Sequence, residues 1–286
     1  MKARAKVNLT LEVLGARADG YHDLRSLVVP VSLADDVSFA PADDISLSCR
    51  CGEAVDASFL GAPDRNLVWR AAALLRSCAG CSAGAAITLE KHIPIGAGLG
   101  GGSADAAATL VGLNDFWGLG FSRESLAEMG ASLGCDIPAL VHGGAVLMEG
   151  RGERVTHEVS SPVFHLVLAF TGIFTSTGKV YAHCVPQLTS GGQIVDNMRR
   201  AIQGGDPQAV AAALQNDLAA AAEALHPEIA QARVSLLAAG ALGASMTGSG
   251  SCVFGVARNA VDANQIVRRL AEKGVTAVPV HTCPVM

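Results

Sequence analysis

Residues Pro94 to Ala108 read PIGAGLGGGSADAAA, and this run constrains the fold more than any other part of the chain. Gly96, Ala97, Gly98, Gly100, Gly101 and Gly102 leave their backbone amides unobstructed or nearly so, and Ser103 then opens an alanine-rich segment of good helix propensity. A glycine loop feeding a helix N-terminus gathers free N–H groups and the positive end of the helix dipole around one small volume. Such a cradle holds anions, and phosphate is its usual occupant.

The 286 residues correspond to about two domains at roughly 150 residues each. Half are hydrophobic and 16% are charged, so a sizeable core is available. The formal net charge of -5 comes without a basic block and gives nucleic-acid binding no support. Lys2, Arg4 and Lys6 are followed by alternation, unlike a signal peptide. The uncharged stretch Val234 to Ala257 is long enough to span a bilayer, but its glycines and serines argue against a membrane helix. A soluble cytoplasmic protein is expected. The eight cysteines read as scattered thiols, because neither Cys49-Arg-Cys51 nor Cys78-Ala-Gly-Cys81 has a histidine at ligand spacing.

Along the chain, Lys6 to Leu14 alternates cleanly. Val7, Leu9, Leu11 and Val13 point one way, and Lys6, Asn8, Thr10 and Glu12 the other, which predicts a strand with one buried face. Lys6 and Asn8 then lie about 6.6 Å apart on the polar side. Ala18-Asp19-Gly20 reads as a turn, and strand-like segments continue to about Arg50. A helix is expected over Asn66 to Cys78, a strand over Ala85 to Ile93, and a helix from Ser103 to about Asn114. Ser122 caps another helix, with Gly134 as its stop. The charged, glycine-containing stretch Glu149 to Glu158 is taken as a linker, dividing the chain into domains 1–157 and 158–286. Helices near 191–203, 206–216 and 227–239, a strand at 251–257, a helix at 259–273 and a strand at 275–281 complete an α+β chain.

Two common glycine-loop types fail. A nucleotide P-loop closes with Lys-Ser or Lys-Thr, whereas this loop closes with Gly102-Ser103-Ala104. Gly96, Gly98 and Gly101 satisfy the dinucleotide pattern, but the helix runs into Asn114-Asp115-Phe116-Trp117, which has no strand character. The full string Pro94-x-x-Ala97-Gly98-Leu99-Gly100-Gly101-Gly102-Ser103-x-Asp105-Ala106-Ala107 resembles the signature of the GHMP kinases. Further segments resemble the branch that phosphorylates a cytidine diphosphate-linked methylerythritol. They are Ala5-Lys6-Val7-Asn8-Leu9, Arg17 to Leu24 with its Tyr21-His22 pair, Gly134-Cys135-Asp136-Ile137-Pro138, and Gly243 to Cys252. Departures are small: Ala104 replaces a frequent Ser, and Tyr181 a frequent Phe.

The resemblance implies a two-domain GHMP-kinase fold, ribosomal-protein-S5-like then ferredoxin-like, and ATP with Mg2+ as cofactors. It implies ATP binding by Pro94, Ile95, Gly96, Ala97, Gly98, Leu99, Gly100, Gly101, Gly102, Ser103 and Ala104, with Asn66, Lys91 and Gly248 to Ser251 as further nucleotide contacts. Ser103 would touch phosphate or magnesium, and from spacing it also reads as a helix cap; the metal's other ligands are not implied. Asp136 would orient or deprotonate the acceptor hydroxyl, with Lys6 beside it; spacing alone reads Asp136, two residues before Pro138, as a helix N-cap. Asn8, Tyr21, His22, Thr177 and Tyr181 are implied substrate contacts, the aromatic rings stacking on cytosine. The expected partner is this small molecule, without nucleic acid or membrane, for a monomer or homodimer. A mevalonate- or homoserine-type kinase is the nearer alternative, and a non-catalytic nucleotide sensor the remoter one.

Overall fold

A computed structural model describes residues 1–18, 20–52, 62–157, 162–184 and 193–283. They group into two compact units. One comprises Met1–Lys6, Leu33–Ile95 and Gly100–Gly143; the other comprises Val7–Ser32, Gly96–Leu99 and Gly144–Met286. The units interleave along the chain because β1 (Lys2–Ala16) and β2 (His22–Ala40) each run through both. Residue 158, where the second domain is expected to open, lies outside the described residues, as does Asp19 of the expected turn.

In the first unit, β3 (Ile45–Cys51) pairs in parallel with β4 (Ala85–Lys91), which pairs antiparallel with the end of β2 from Asp36 to Ala40. Four helices accompany these strands: α1 (Leu67–Ala79), α2 (Gly101–Phe116), α3 (Arg123–Ala131) and α4 (Ile137–His142). Asn66 caps α1 by accepting from the Val68 amide at 2.9 Å, and Gly80, at φ 60°, closes it. Val68, Leu75, Ile87, Leu89, Leu110, Leu113 and Ile137 form the buried core. Ser122 does cap α3, accepting from Ser125 N, but the helix ends at Ala131, before Gly134.

In the second unit, β1 pairs with the short β8 (Gln215–Asn216), and the start of β2 pairs with β5 (Val146–Gly150). β6 (Arg154–His157) folds back on β5, so the expected linker from Glu149 is largely a hairpin; Glu158 lies outside the described residues. A four-stranded antiparallel sheet has the order β11 (Ala277–His281), β7 (His165–Ala169), β10 (Val253–Ala257), β9 (Gly243–Met246). Its helices are α5 (Thr177–His183), α6 (Gln193–Gly204), α7 (Pro207–Ala212), α8 (Ala219–Leu225), α9 (Pro227–Ala238) and α10 (Ala260–Ala271). Leu236 of α9 and Ile266 and Leu270 of α10 pack on Val167 and Val253 of the sheet. The helix expected over 206–216 stops at Ala212 because Gln215 and Asn216 join β1. Residues 191–192 of the expected helix 191–203 lie outside the described residues.

The polar face of β1 corrects the expectation of a strand buried on one side only. Lys6 and Asn8 are 4% exposed, Thr10 0% and Glu12 1%. Such burial is tolerable only where hydrogen-bond partners replace water. Thr10 has them: its carbonyl accepts from Ser26 Oγ at 2.6 Å, and its Oγ1 accepts from the Leu27 amide at 3.2 Å.

Candidate functional site

The glycine run is shared by chain continuity: residues 96–99 belong to the second unit and the run from Gly100 onward to the first. Gly100, at φ 67°, is the N-cap of α2 and supplies no side-chain capping bond. The Ala104 amide donates to the Gly100 carbonyl at 2.8 Å. The amides of Gly101, Gly102 and Ser103 therefore have no partner within the helix, and they carry the positive end of its dipole. The helix starts two residues before Ser103, so the capping position expected of that serine falls to Gly100.

Lys6 and Asp136 lie against this corner. The Lys6 Nζ is 3.6 Å from Asp136 Oδ2, with the lysine side chain 5% exposed and the aspartate 35%. A Cβ added at Gly100 would stand 3.1 Å from Lys6 Cε and 3.5 Å from Asp136 Oδ2. Glycine at this position thus serves both the left-handed backbone and the close approach of the pair. Asp136 occupies the N-cap position of α4 but makes no side-chain capping bond to it. Its carboxylate addresses Lys6 instead.

Two further residues expected at the nucleotide have structural partners in this unit. Asn66 caps α1, and its amide donates toward Cys49 Sγ at 3.9 Å. Lys91 is 3% exposed; its ammonium donates to Asp105 Oδ2 at 2.7 Å and to Asp35 Oδ2. Burial, reinforced by neighbouring Asp35 and opposed by Lys91, pushes the Asp105 carboxyl up to about 7. Burial works against the Lys91 charge, but Asp105 and Asp35 outweigh it and raise its pKa above the ordinary lysine value.

In the second unit, a Cβ at Gly96 would stand 2.2 Å from the Phe174 ring, and one at Gly98 would stand 2.3 Å from the Thr247 carbonyl. Ala97 accepts from the Cys252 amide at 3.1 Å. The loop's first half is therefore laid against the second glycine-rich motif, residues 247–252. Asn8 organises that motif: its Oδ1 accepts from the Gly248 amide at 2.9 Å and from Thr247 Oγ1 at 3.2 Å, while its Nδ2 donates to Ser26 Oγ at 2.7 Å. Asn216 adds donations to the carbonyls of Met246 at 2.8 Å and Gly248 at 2.9 Å.

Thr177 Oγ1 lies 2.9 Å from Ser249 Oγ. The His22 and Tyr181 rings stack with centroids 5.1 Å apart and a tilt of 34°. Tyr21 is 53% exposed, with the Arg151 guanidinium 5.1 Å above its ring. The structure therefore brings Lys6, Asp136 and Gly100 together, Asn8 to residues 247–248, Thr177 to Ser249, and His22 to Tyr181. Asp35, Thr247, Asn216 and Arg151 were not among the expected site residues. An acidic residue inside a strand, as at Asp35, was the one available signal. Among the described residues, the one Asp/Glu/His/Cys group close enough to share an ion is Asp36, Glu90 and His92, none of it from the glycine run.

Comparison with known proteins matches the GHMP kinases N terminal domain to residues 66–144 and the GHMP kinases C terminal domain to residues 198–276. The 4-diphosphocytidyl-2-C-methyl-D-erythritol kinase of Pelotomaculum thermopropionicum is 45% identical over 269 residues, covering 93% of this chain and 92% of that protein. The enzyme of the same name from Symbiobacterium thermophilum is 44% identical over 276 residues, covering 94% of each. A crystal structure of 4-(cytidine 5'-diphospho)-2C-methyl-D-erythritol kinase superposes with a TM-score of 0.81 at 32% identity, over 100% of this chain and 99% of that one.

Proposed function

The chain belongs to the GHMP kinase family, and from that premise we propose that it transfers the γ-phosphoryl group of ATP to the 2-hydroxyl of 4-diphosphocytidyl-2-C-methyl-D-erythritol, in the non-mevalonate route to isoprenoid precursors. The observation that carries this reading is the Lys6–Asp136 pair set against Gly100, the cap of a helix whose first amides have no partner within the helix. Phosphoryl transfer asks a protein mainly for positioning and charge stabilisation. The amides of Gly101, Gly102 and Ser103 hold phosphate oxygens, with 94–100 forming the approach to them. Asp136 accepts or orients the proton of the attacking hydroxyl, and Lys6 offsets charge on the moving phosphoryl group.

Asn8 aligns the acceptor through its hold on Thr247 and Gly248. His22 and Tyr181 receive the cytosine with Tyr21, the imidazole hydrogen-bonding the base edge in a way that separates cytosine from uracil. Thr177 adds a hydroxyl contact. ATP enters as its Mg2+ complex, and Ser103, in the first turn of α2, would offer a hydroxyl oxygen of the kind that suits that hard cation. When bound, the ion neutralises charge on the phosphate chain. The N- and C-terminal domains divide at 157/158 in this reading.

A turnover assay tests the activity. Purified protein with MgATP should convert the cytidylated methylerythritol and leave mevalonate and homoserine untouched. Turnover of either alternative acceptor in preference would overturn the substrate, and ADP-free incubation with all three would overturn the kinase.

A further inference from the structure

Lys91, Asp35 and Asp105 form a buried ion cluster behind the glycine corner, with side chains 4%, 0% and 4% exposed. Three elements supply it: Asp35 comes from β2, Lys91 ends β4, and Asp105 lies in the second turn of α2. Asp35 does two things at once. Its Oδ2 receives the Lys91 ammonium, and its Oδ1 receives the backbone amides of His92 and Ile93, the latter at 2.8 Å. It therefore pins the three residues that lead from β4 into Pro94. Lys91 in turn ties that strand end to α2 through Asp105.

The cluster sits directly beneath the helix start. A Cβ added at Gly101 would stand 3.3 Å from Lys91 Nζ and 3.0 Å from Ile93 Cγ2. An ammonium beneath the positive end of a helix is electrostatically unfavourable on its own, and two carboxylates compensate for it here. Burying an ammonium with two carboxyl groups is a poor way to gain stability, because desolvation consumes most of the Coulomb attraction and apolar side chains of similar volume pack as well. A charged, multidentate cluster does fix geometry, since each hydrogen bond has a required direction.

Building on the proposed kinase activity, we propose that Lys91, Asp35 and Asp105 are positioning residues that lock the entry strand and exit helix of the glycine loop in one register, so that the amides of Gly101 to Ser103 meet the nucleotide phosphates in alignment. They touch no reacting atom. They act through α2.

The test uses Asp105→Asn and the double substitution Lys91→Met with Asp105→Leu made in an Asp35→Asn background, which removes all three charges together and refills the volume of the pair while an amide oxygen at position 35 still accepts the two backbone amides. Titration of each protein with a non-hydrolysable ATP analogue is read beside KM for ATP, KM for the cytidylated acceptor, and Tm. A misaligned cradle weakens analogue binding and raises KM for ATP by about tenfold or more, with the acceptor KM unchanged. If the repacked variant melts within a few degrees of the parent and keeps parental analogue affinity, the cluster is only packing and the proposal is overturned. The same holds if both KM values rise together. Should Asp105→Asn fail to fold, the repacked variant decides. A parent protein without turnover would contradict the kinase reading instead, and analogue affinity alone would then judge the cluster.

Discussion

The Lys6 ammonium stands 3.6 Å from Asp136 Oδ2, and the carboxylate makes no capping bond to the helix it precedes. That geometry is what the roles proposed for Asp136 and Lys6 require. Asp136→Asn and Lys6→Ala should each lower kcat by about 10²- to 10⁴-fold. Because no cap is lost, Asp136→Asn should keep its Tm within a few degrees. Steady-state kinetics beside thermal melts checks both; parental kcat in either variant would contradict the assignment.

Gly100 combines a φ of 67° with a Cβ position 3.1 Å from Lys6 Cε. Gly100→Ala forces a left-handed alanine, costing about 1–2 kcal/mol, and presses on the Lys6 side chain. The expected result is a Tm lowered by a few degrees together with a loss of kcat/KM for ATP of more than tenfold. Loss of stability with normal kinetics would show that Lys6 is indifferent to the corner.

Recognition of the cytidine end should be separable from nucleotide binding. The His22 and Tyr181 rings are 5.1 Å apart, and a base–aromatic stack contributes about 1–3 kcal/mol. Tyr181→Ala should therefore raise KM for the cytidylated acceptor by about 5- to 150-fold, with KM for ATP unchanged. Titration with CDP alone should show the same weakening. Equal effects on both substrates would place Tyr181 elsewhere.

Asp105 gives a pH signature. Its carboxyl, ordinarily near 3.8, is pushed up to about 7 in the folded protein, by burial first and by Asp35 next, against the pull of Lys91. Between those values the unfolded chain has released the proton and the folded chain keeps it, so unfolding releases a proton and stability falls as pH rises from about 4 to about 7. Above about 7 both states are ionised and the contribution levels off. Asp105→Asn removes this titration, so the parent should lose stability relative to the variant across that window. Denaturant midpoints at pH 5 and pH 8 measure it; parallel behaviour of the two proteins would contradict the assignment.

The glycine corner was legible because its information is local: glycines, then a serine and an alanine run, encode loop and helix within fifteen residues. The strand period of β1 was legible for the same reason. The burial of its polar face was not, because Asn8 finds Ser26 and Thr247 at separations of 18 and 239 residues. The Lys91 cluster depends likewise on Asp35, 56 residues upstream. β8 is two residues long and owes its existence to β1 alone, so no period could reveal it. The hairpin at Glu149 looked like a linker because its charges and glycines also suit a tight turn, here built around Gly150 and Gly152 at φ 72° and 114°.

The most direct measurement is phosphorus NMR of the product formed from MgATP and 4-diphosphocytidyl-2-C-methyl-D-erythritol, run in parallel with the parent protein and Asp136→Asn. The parent should yield ADP and one new phosphomonoester on the 2-hydroxyl, and the variant almost none. A phosphoester at another hydroxyl, or equal product from both proteins, would contradict the account.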